Sequence, residues 1–211
     1  MNTHTTRRRG LSTARTSLLV AGALVLAVAG FGTAEAATNE APASRTASAP
    51  DATWQVQQTL ASYVRDTDHR DGASLSKLFT SKGKVEIYAK NAKGRYEAVG
   101  APIVGRDAID NAVTHLQAPL PVLGSEHHVT SDPVVSVKGD TAHLNVQFIT
   151  YAVQGTQEPD GGWPSGTAGV QGTIKPYEAG YYDASLHRDH DEWQITSLRI
   201  LHDLPMVIPA G

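Results

Sequence analysis

The sequence contains no cysteine among its 211 residues. This absence excludes disulfide bonds, thiolate nucleophiles and metal sites built on thiolate ligands. No G-x-S-x-G, P-loop or dinucleotide-binding fingerprint occurs either. The chain also lacks an excess of positive charge, because 18 Lys and Arg stand against 21 Asp and Glu. It therefore has no electrostatic footprint for nucleic acid, and no nucleic-acid partner is predicted.

The first 36 residues have the layout of a signal peptide. An arginine-rich stretch ends at Arg15 and precedes an apolar run from Leu18 to Phe31. The tripeptide from Ala34 to Ala36 fits an A-x-A cleavage pattern, so we expect export, by the general or the twin-arginine route, and a mature chain without membrane attachment. A retained anchor helix is the alternative, but the apolar run is short for a membrane span. Cleavage removes four Arg and one Glu, which moves the formal charge from −3 to −6.

The rest of the chain is predicted to hold one domain. Residues 37–50 are rich in Ala, Ser, Thr and Pro, which is typical of a disordered linker. The domain is predicted to span residues 51–205. Asp51 is a plausible N-cap for a helix at about 52–67. A short second helix is predicted to carry Leu75, Leu78 and Phe79, and a third begins at Gly105.

Alternating apolar and polar residues then predict a series of strands. These lie at 84–89, 95–99, 126–130, 133–137, 141–153, 177–188 and 192–202. Helices followed by antiparallel strands predict the α+β class, with three helices packed on one face of a curved sheet. Residues 154–176 are irregular and rich in glycine around Trp163. A loop of this length is either a pocket lid or a passive, disordered insertion.

Asp68 stands where a core-facing helix stripe should continue. Val56, Leu60 and Val64 are spaced four apart and so share one helix face, and Asp68 is the next member of that series. A carboxylate at the end of such a stripe costs free energy unless it is paired or hydrated. A pocket supplies both conditions. The alternative is a helix-terminating Asp68 that bonds to the following turn.

Several short motifs in order give a family resemblance. They are Tyr63, Asp68, Asp71 and Leu78-Phe79, then Val104 to Ile109, His128-Val129, Gly139 to Ala142, Tyr182-Asp183 and Trp193 to Ile195. Together they resemble the SnoaL-like proteins of the nuclear transport factor 2-like superfamily. The resemblance implies a cone-shaped α+β barrel, with a cavity between the helices and the concave face of a mixed sheet. It also implies a homodimer formed through the outer sheet face.

Two enzyme types within this superfamily suggest roles for individual residues. Tyr63 matches the oxyanion-binding tyrosine of ketosteroid isomerase-like proteins, but their catalytic aspartate falls at about Ile87. Asp68, Tyr88 and His128 match three of four residues in scytalone dehydratase-like proteins. The fourth, a second histidine, falls near Val146, where none stands.

The resemblance and the residues together predict a small-molecule pocket without a metal or a cofactor. Its proton-transfer residues are predicted to be Asp68, His128 and Tyr88, and its ligand-contacting residues are predicted to be Tyr63, Tyr182 and Trp163. The expected activity is cofactor-independent acid–base chemistry of the lyase, isomerase or cyclase type, on an apolar or cyclic metabolite. The alternative is a non-catalytic binding or dimerising module, in which His128 is satisfied by the backbone and the tyrosines belong to the core.

Overall fold

The computed structural model describes residues 51–117 and 119–206, which lie within one unit spanning Ala47–Gly211. The predicted signal peptide and linker lie outside the described residues. The helices are α1 (Ala52–Asp68), α2 (Gly72–Lys77) and α3 (Arg106–Asn111), which continues into a π-helical turn (Ala112–Leu116). The strands are β1 (Phe79–Lys90), β2 (Tyr96–Ala98), β3 (Ile103–Val104), β4 (Gly124–Lys138), β5 (Thr141–Gly155), β6 (Gly172–Asp189) and β7 (Glu192–His202).

The described strands form one mixed, curved sheet. Its order is β2-β1-β7-β6-β5-β4, and β3 pairs with β1 beside β2. The β1–β7 pair is parallel and the other pairs are antiparallel. Three helices on one mixed sheet confirm the predicted α+β class. Within the described residues, no helix is long and apolar enough to cross a membrane.

Helix α1 begins and packs as its sequence predicts. The Asp51 side chain accepts a hydrogen bond from the backbone N–H of Thr53 at 3.2 Å, which caps the first turn. Val56, Leu60 and Val64 are all buried in the core between the helices and the sheet. This apolar face fixes the rotation of α1 about its own axis. The last helical residue, Asp68, is thereby directed towards β4.

Helix α2 is shorter than predicted, and Phe79 belongs to β1. The Leu78 carbonyl accepts a hydrogen bond from Ile195 N–H at 2.8 Å, so the chain already pairs with β7 at this point. Phe79 then takes its place beside Ile195 in the parallel ladder and is fully buried. At the other end of α2, a side chain on Gly72 would meet the Asp110 carbonyl oxygen, so this glycine allows α2 to approach α3 closely.

Two strand boundaries differ from the prediction because β-bulges interrupt the alternation. Asp132, with a left-handed φ of 54°, and Pro133 lie inside a continuous β4, at a register shift against β5. In the β5–β6 hairpin, Thr150 faces Glu178 and Tyr151 faces Pro176, so Tyr177 is the extra residue of a bulge. Pairing then continues outward to the end of β5, and the predicted loop at 154–176 is only 156–171.

Candidate active site

The centre of the candidate site is a contact between Asp68 and His128. The Asp68 Oδ1 and His128 Nδ1 atoms are 2.6 Å apart. The same carboxylate also accepts the His128 backbone N–H, at 3.1 Å to Oδ1 and 3.3 Å to Oδ2. Both side chains are largely shielded, with 13% of Asp68 and 10% of His128 exposed. The end of α1 is therefore joined to β4 through one carboxylate.

This contact fixes which ring nitrogen of His128 carries a proton. A carboxylate accepts hydrogen bonds, so Nδ1 is the donor in the contact with Asp68. In the neutral imidazole, Nε2 on the opposite edge of the ring is then the free acceptor. His128 lines a cavity between the helices and the sheet. The arrangement therefore provides a proton acceptor in that cavity, with a carboxylate that stabilises the imidazolium after proton transfer.

Aromatic side chains form one wall of this cavity, which has a volume of about 320 Å³. The Phe148 ring stacks on Tyr182 with centroids 4.5 Å apart, and Tyr63 meets Tyr182 edge-on at 5.6 Å. The three rings are buried. Burial raises the pKa of the Tyr63 and Tyr182 hydroxyls above the usual range, so both stay protonated and able to donate hydrogen bonds at neutral pH. The wall suits a ring-shaped, apolar ligand that carries a polar group.

A second histidine in the cavity comes from the last strand. His202 lines the cavity from β7 and is buried, with its ring 5.7 Å from Phe148 in an edge-on arrangement. The His128 ring lies 6.3 Å from the same phenylalanine. Burial lowers the pKa of His202, the nearby Glu178 carboxylate opposes that shift, and the positive form of His128 adds to it. The two imidazoles therefore approach one space, and His202 favours its neutral form.

Carboxylates and an arginine make the remaining wall polar. The Glu178 carboxylate lines the cavity and accepts a hydrogen bond from the fully buried Thr150 hydroxyl at 3.3 Å. Arg70, in the turn after α1, pairs with Glu126 of β4 at 3.2 Å. The pKa of Tyr177 is raised by burial and by its hydrogen bond to Glu126. This Arg70–Glu126–Tyr177 group joins the α1–α2 turn to β4 and to the bulge in β6.

Comparison with known proteins identifies the family. Residues 50–199 match the SnoaL-like domain. The chain belongs to the SnoaL-like family. No curated protein sequence matches it.

Solved structures, one of them described as having a cystatin-like fold, share the fold of this SnoaL-like protein at low sequence identity. The β subunit of a candidate aromatic-ring-hydroxylating dioxygenase from Novosphingobium aromaticivorans is 16% identical, with a TM-score of 0.54 over 74% of this chain and 92% of that one. ActVI-ORFA from Streptomyces coelicolor is 14% identical, with a TM-score of 0.52 over 71% and 96%. A Nostoc punctiforme protein of unknown function is 10% identical, with a TM-score of 0.51 over 73% and 94%. At these identities the likeness shows the fold alone.

Two of the six residues predicted for the site lie elsewhere in this SnoaL-like protein. Tyr88 is outside the cavity lining, because Val85 and Ala89 of β1 are the inward, buried positions and Tyr88 alternates with them. It lies on the outer face with Arg199, whose raised pKa is due chiefly to a hydrogen bond to Asp183, with a smaller contribution from Tyr88. Trp163 lies in the loop after β5, half-exposed and away from the cavity lining. Tyr63, His128 and Tyr182 line the cavity. Asp68 lies behind the lining and contacts His128.

Proposed function

We propose that this SnoaL-like protein binds a small apolar or cyclic molecule in the cavity and acts on it by acid–base chemistry without a cofactor. The observation that carries the proposal is the 2.6 Å contact between Asp68 and His128 beside a wall of stacked aromatic rings. Isomerases, lyases and cyclases of this kind share a first step, the removal of a proton from a carbon beside a carbonyl group. His128 is the base in this proposal, and Asp68 is the residue that orients it.

The proposed first step moves one proton and one electron pair. The Nε2 lone pair of His128 takes the proton from the carbon, and the electrons of the broken C–H bond form the enolate. Nδ1 keeps its proton, and the Asp68 carboxylate accepts its hydrogen bond and stabilises the imidazolium, which lowers the barrier relative to an unpaired histidine. The proton then returns to another carbon in an isomerisation, or it leaves with a hydroxyl group as water in a dehydration.

Other side chains of the cavity lining supply groups for the oxygen atom of such a substrate. The protonated hydroxyl groups of Tyr63 and Tyr182 are suited to stabilise an enolate oxygen by hydrogen bonding. In a dehydration the hydroxyl group takes the proton that His128 removed, and His202 and Glu178 of the cavity lining provide polar contacts for the departing water. In this proposal His202 replaces the second histidine that the sequence lacks at Val146. Each positioned acid or base of this type typically contributes about 10²–10⁴-fold in rate.

Deuterium exchange tests the proposal without knowledge of the true substrate. A panel of cyclic ketones is incubated with the protein in deuterated buffer, and mass spectrometry measures deuterium incorporated beside the carbonyl. We expect protein-dependent exchange that His128→Gln abolishes. His127→Gln is the matched control, because His127 is the neighbouring residue and is exposed. Equal exchange by wild type and His128→Gln would remove His128 as the base.

A binding module without catalysis is the second candidate function. The favouring observation is that Asp68 also holds the His128 backbone N–H, so the carboxylate would keep a structural role without any reaction. In that case, aromatic ligands would bind with similar affinity to wild type and His128→Gln, and no exchange would occur. Calorimetric titration alongside the exchange assay distinguishes the two candidates.

Export and dimerisation complete the proposal. Cleavage after Ala36 predicts a secreted chain that begins at Ala37, which mass spectrometry of the culture medium would detect.

A homodimer would use the outer sheet face, where Val129 and Ile149 stand side by side on β4 and β5 and are 53% and 41% exposed. We expect Ile149→Asp to lower the molar mass measured by light scattering to that of a monomer. An unchanged mass would exclude this face as the interface.

A further inference from the structure

A second compartment lies beside the cavity that holds His128. Its volume is about 440 Å³. Tyr63, Gln117, Ile200 and Met206 line both spaces, so the two share a wall. In the part of the chain that the structure describes, the other eight residues that line the second compartment are all aliphatic. The two adjoining spaces are therefore chemically distinct.

The lining of the second compartment is unlike that of the first. The first contains charged and aromatic groups, and its ring faces suit a flat ligand. The second offers side chains such as Ile103 and Ile109, and Gln117 and Tyr63 at the shared wall are the only polar ones among the described residues of its lining. Water in such a space would find few partners for hydrogen bonds. An aliphatic group would bury its surface there without losing hydrogen bonds.

The π-helical turn after α3 helps to form this compartment. Ala112, Val113 and Leu116 of that turn contribute to its wall, and Leu116 is 71% exposed at the rim. Single π-helical turns are rare and occur frequently at functional sites. Here the turn follows directly from α3, whose Ile109 is buried in the core. The irregular turn therefore lies where the second half of a ligand would rest.

We infer that the ligand has two parts, an oxygenated ring beside His128 and an aliphatic arm in the second compartment. The inference rests on the proposed function for the ring and adds the substrate class. The shared wall at Tyr63 and Ile200 marks the junction between the two parts. A compact ring alone would leave the aliphatic half filled only by water, which is the costlier arrangement.

Alkylphenols of increasing chain length test the inference. Para-cresol, para-propylphenol, para-pentylphenol and para-heptylphenol are titrated calorimetrically into the full chain. We expect the affinity to rise about three- to fourfold per added methylene until the compartment is full, which corresponds to about 0.8 kcal/mol for each buried CH₂ group. In nuclear magnetic resonance spectra, the chain methyl should give Overhauser effects to Ile103 and Ile109, and the ring should give them to His128.

Filling the second compartment should remove the dependence of affinity on alkyl chain length, while the ring still binds. Val113→Trp places a large ring in the aliphatic half, and we expect it to flatten the affinity series while para-cresol still binds. Val134→Trp is the matched control, because Val134 is 69% exposed on β4. We expect this variant to keep the wild-type series. If thermal melting shows that Val113→Trp does not fold, the milder Ala112→Leu takes its place and should shorten the optimal chain.

The outcomes separate this inference from the proposed function. Two results would overturn the two-part ligand even if deuterium exchange occurs. One is an alkylphenol affinity that does not change with chain length in the wild-type protein, and the other is an Overhauser effect from the chain methyl to His128. An affinity that rises with chain length in the wild-type protein but not in Val113→Trp would support the two-part ligand even if no deuterium exchange is detected. In that second case the protein would bind a two-part ligand without acting on it, and only the proposed catalysis would fall.

Discussion

Asp68 is a residue whose position in the sequence already signals a site. The apolar series of α1 would continue at this residue, and a carboxylate replaces the expected aliphatic side chain. In the structure the carboxylate reaches both the backbone and the ring of His128. The alternative interpretation, an aspartate bonded to the turn after its helix, does not describe these contacts.

Replacing Asp68 by asparagine should reduce activity far more than stability. The amide is nearly the same size but carries no charge, so the imidazolium of His128 loses its counter-ion. We expect the rate of deuterium incorporation into the ketone to fall by about 10²–10⁴-fold with the fold intact. Asp66→Asn, on the same helix, is the control. A wild-type exchange rate in Asp68→Asn would mean that the carboxylate has no part in the reaction.

The residues that the sequence did not identify have a common physical reason. His202 and Glu178 each belong to a strand in which a bulge changes which positions face inward. In β6, the extra residue Tyr177 separates Glu178 from the preceding part of the strand, so the alternation does not continue across it. The prediction of Tyr88 rests on family resemblance, whereas the alternation of β1 after Val85 directs Tyr88 outward. A pattern of period two is reliable only between bulges.

On the scale of elements, close contact between α2 and α3 depends on a residue without a side chain. A methyl group at Gly72 would meet backbone of α3 at Asp110, which cannot move as a flexible side chain can. We expect Gly72→Ala to lower the free energy of unfolding by about 1–3 kcal/mol, as overpacking does. Denaturant titration measures this change.

Gly161 provides the matched control for that substitution. It lies in the loop after β5, and a methyl group there would meet nothing within 4 Å. Gly161→Ala should leave the stability unchanged or raise it slightly, because alanine restricts the unfolded chain. Equal effects of the two substitutions would show that the α2–α3 contact is not tightly packed.

The boundaries of α1 and most strands follow from local sequence, whereas the end of α2 and the start of β1 depend on tertiary pairing. The Asp51 cap and the stripe that contains Leu60 are local signals, and the structure confirms the helix that they predict. Phe79 reads as helical in isolation, because Leu75 and Leu78 precede it at helical spacing. The hydrogen bond from Ile195 to Leu78 ends that helix, and its donor lies more than a hundred residues away.

On the scale of the whole molecule, His202 should make stability depend on pH. Burial lowers its pKa below 6.5, with Glu178 and Asp203 opposing the shift and the positive form of His128 adding to it. Between the folded and unfolded values, the unfolded chain binds more protons than the folded one, so stability falls as the pH drops below about 6.5. The lowered pKa values of Asp183 and Asp203 act separately, at more acidic pH.

Unfolding measured across this pH range should isolate the contribution of His202. We expect His202→Gln to show a smaller loss of stability than wild type between about pH 7 and pH 5. His190→Gln is the control, because that side chain is 93% exposed at the β6–β7 turn. A wild-type pH dependence in His202→Gln would mean that His202 is protonated as readily in the folded protein as in the unfolded chain.

The central claim is that Asp68 fixes His128 as the proton acceptor of the cavity, and nitrogen-15 spectroscopy of the His128 ring tests it most directly. Long-range proton–nitrogen correlations distinguish the two neutral forms of imidazole. At a pH where the ring is neutral, we expect the proton on Nδ1 and an unprotonated Nε2, because Nδ1 donates to Asp68 at 2.6 Å. In Asp68→Asn this preference should weaken. A neutral His128 with its proton on Nε2 in the wild-type protein would contradict the account.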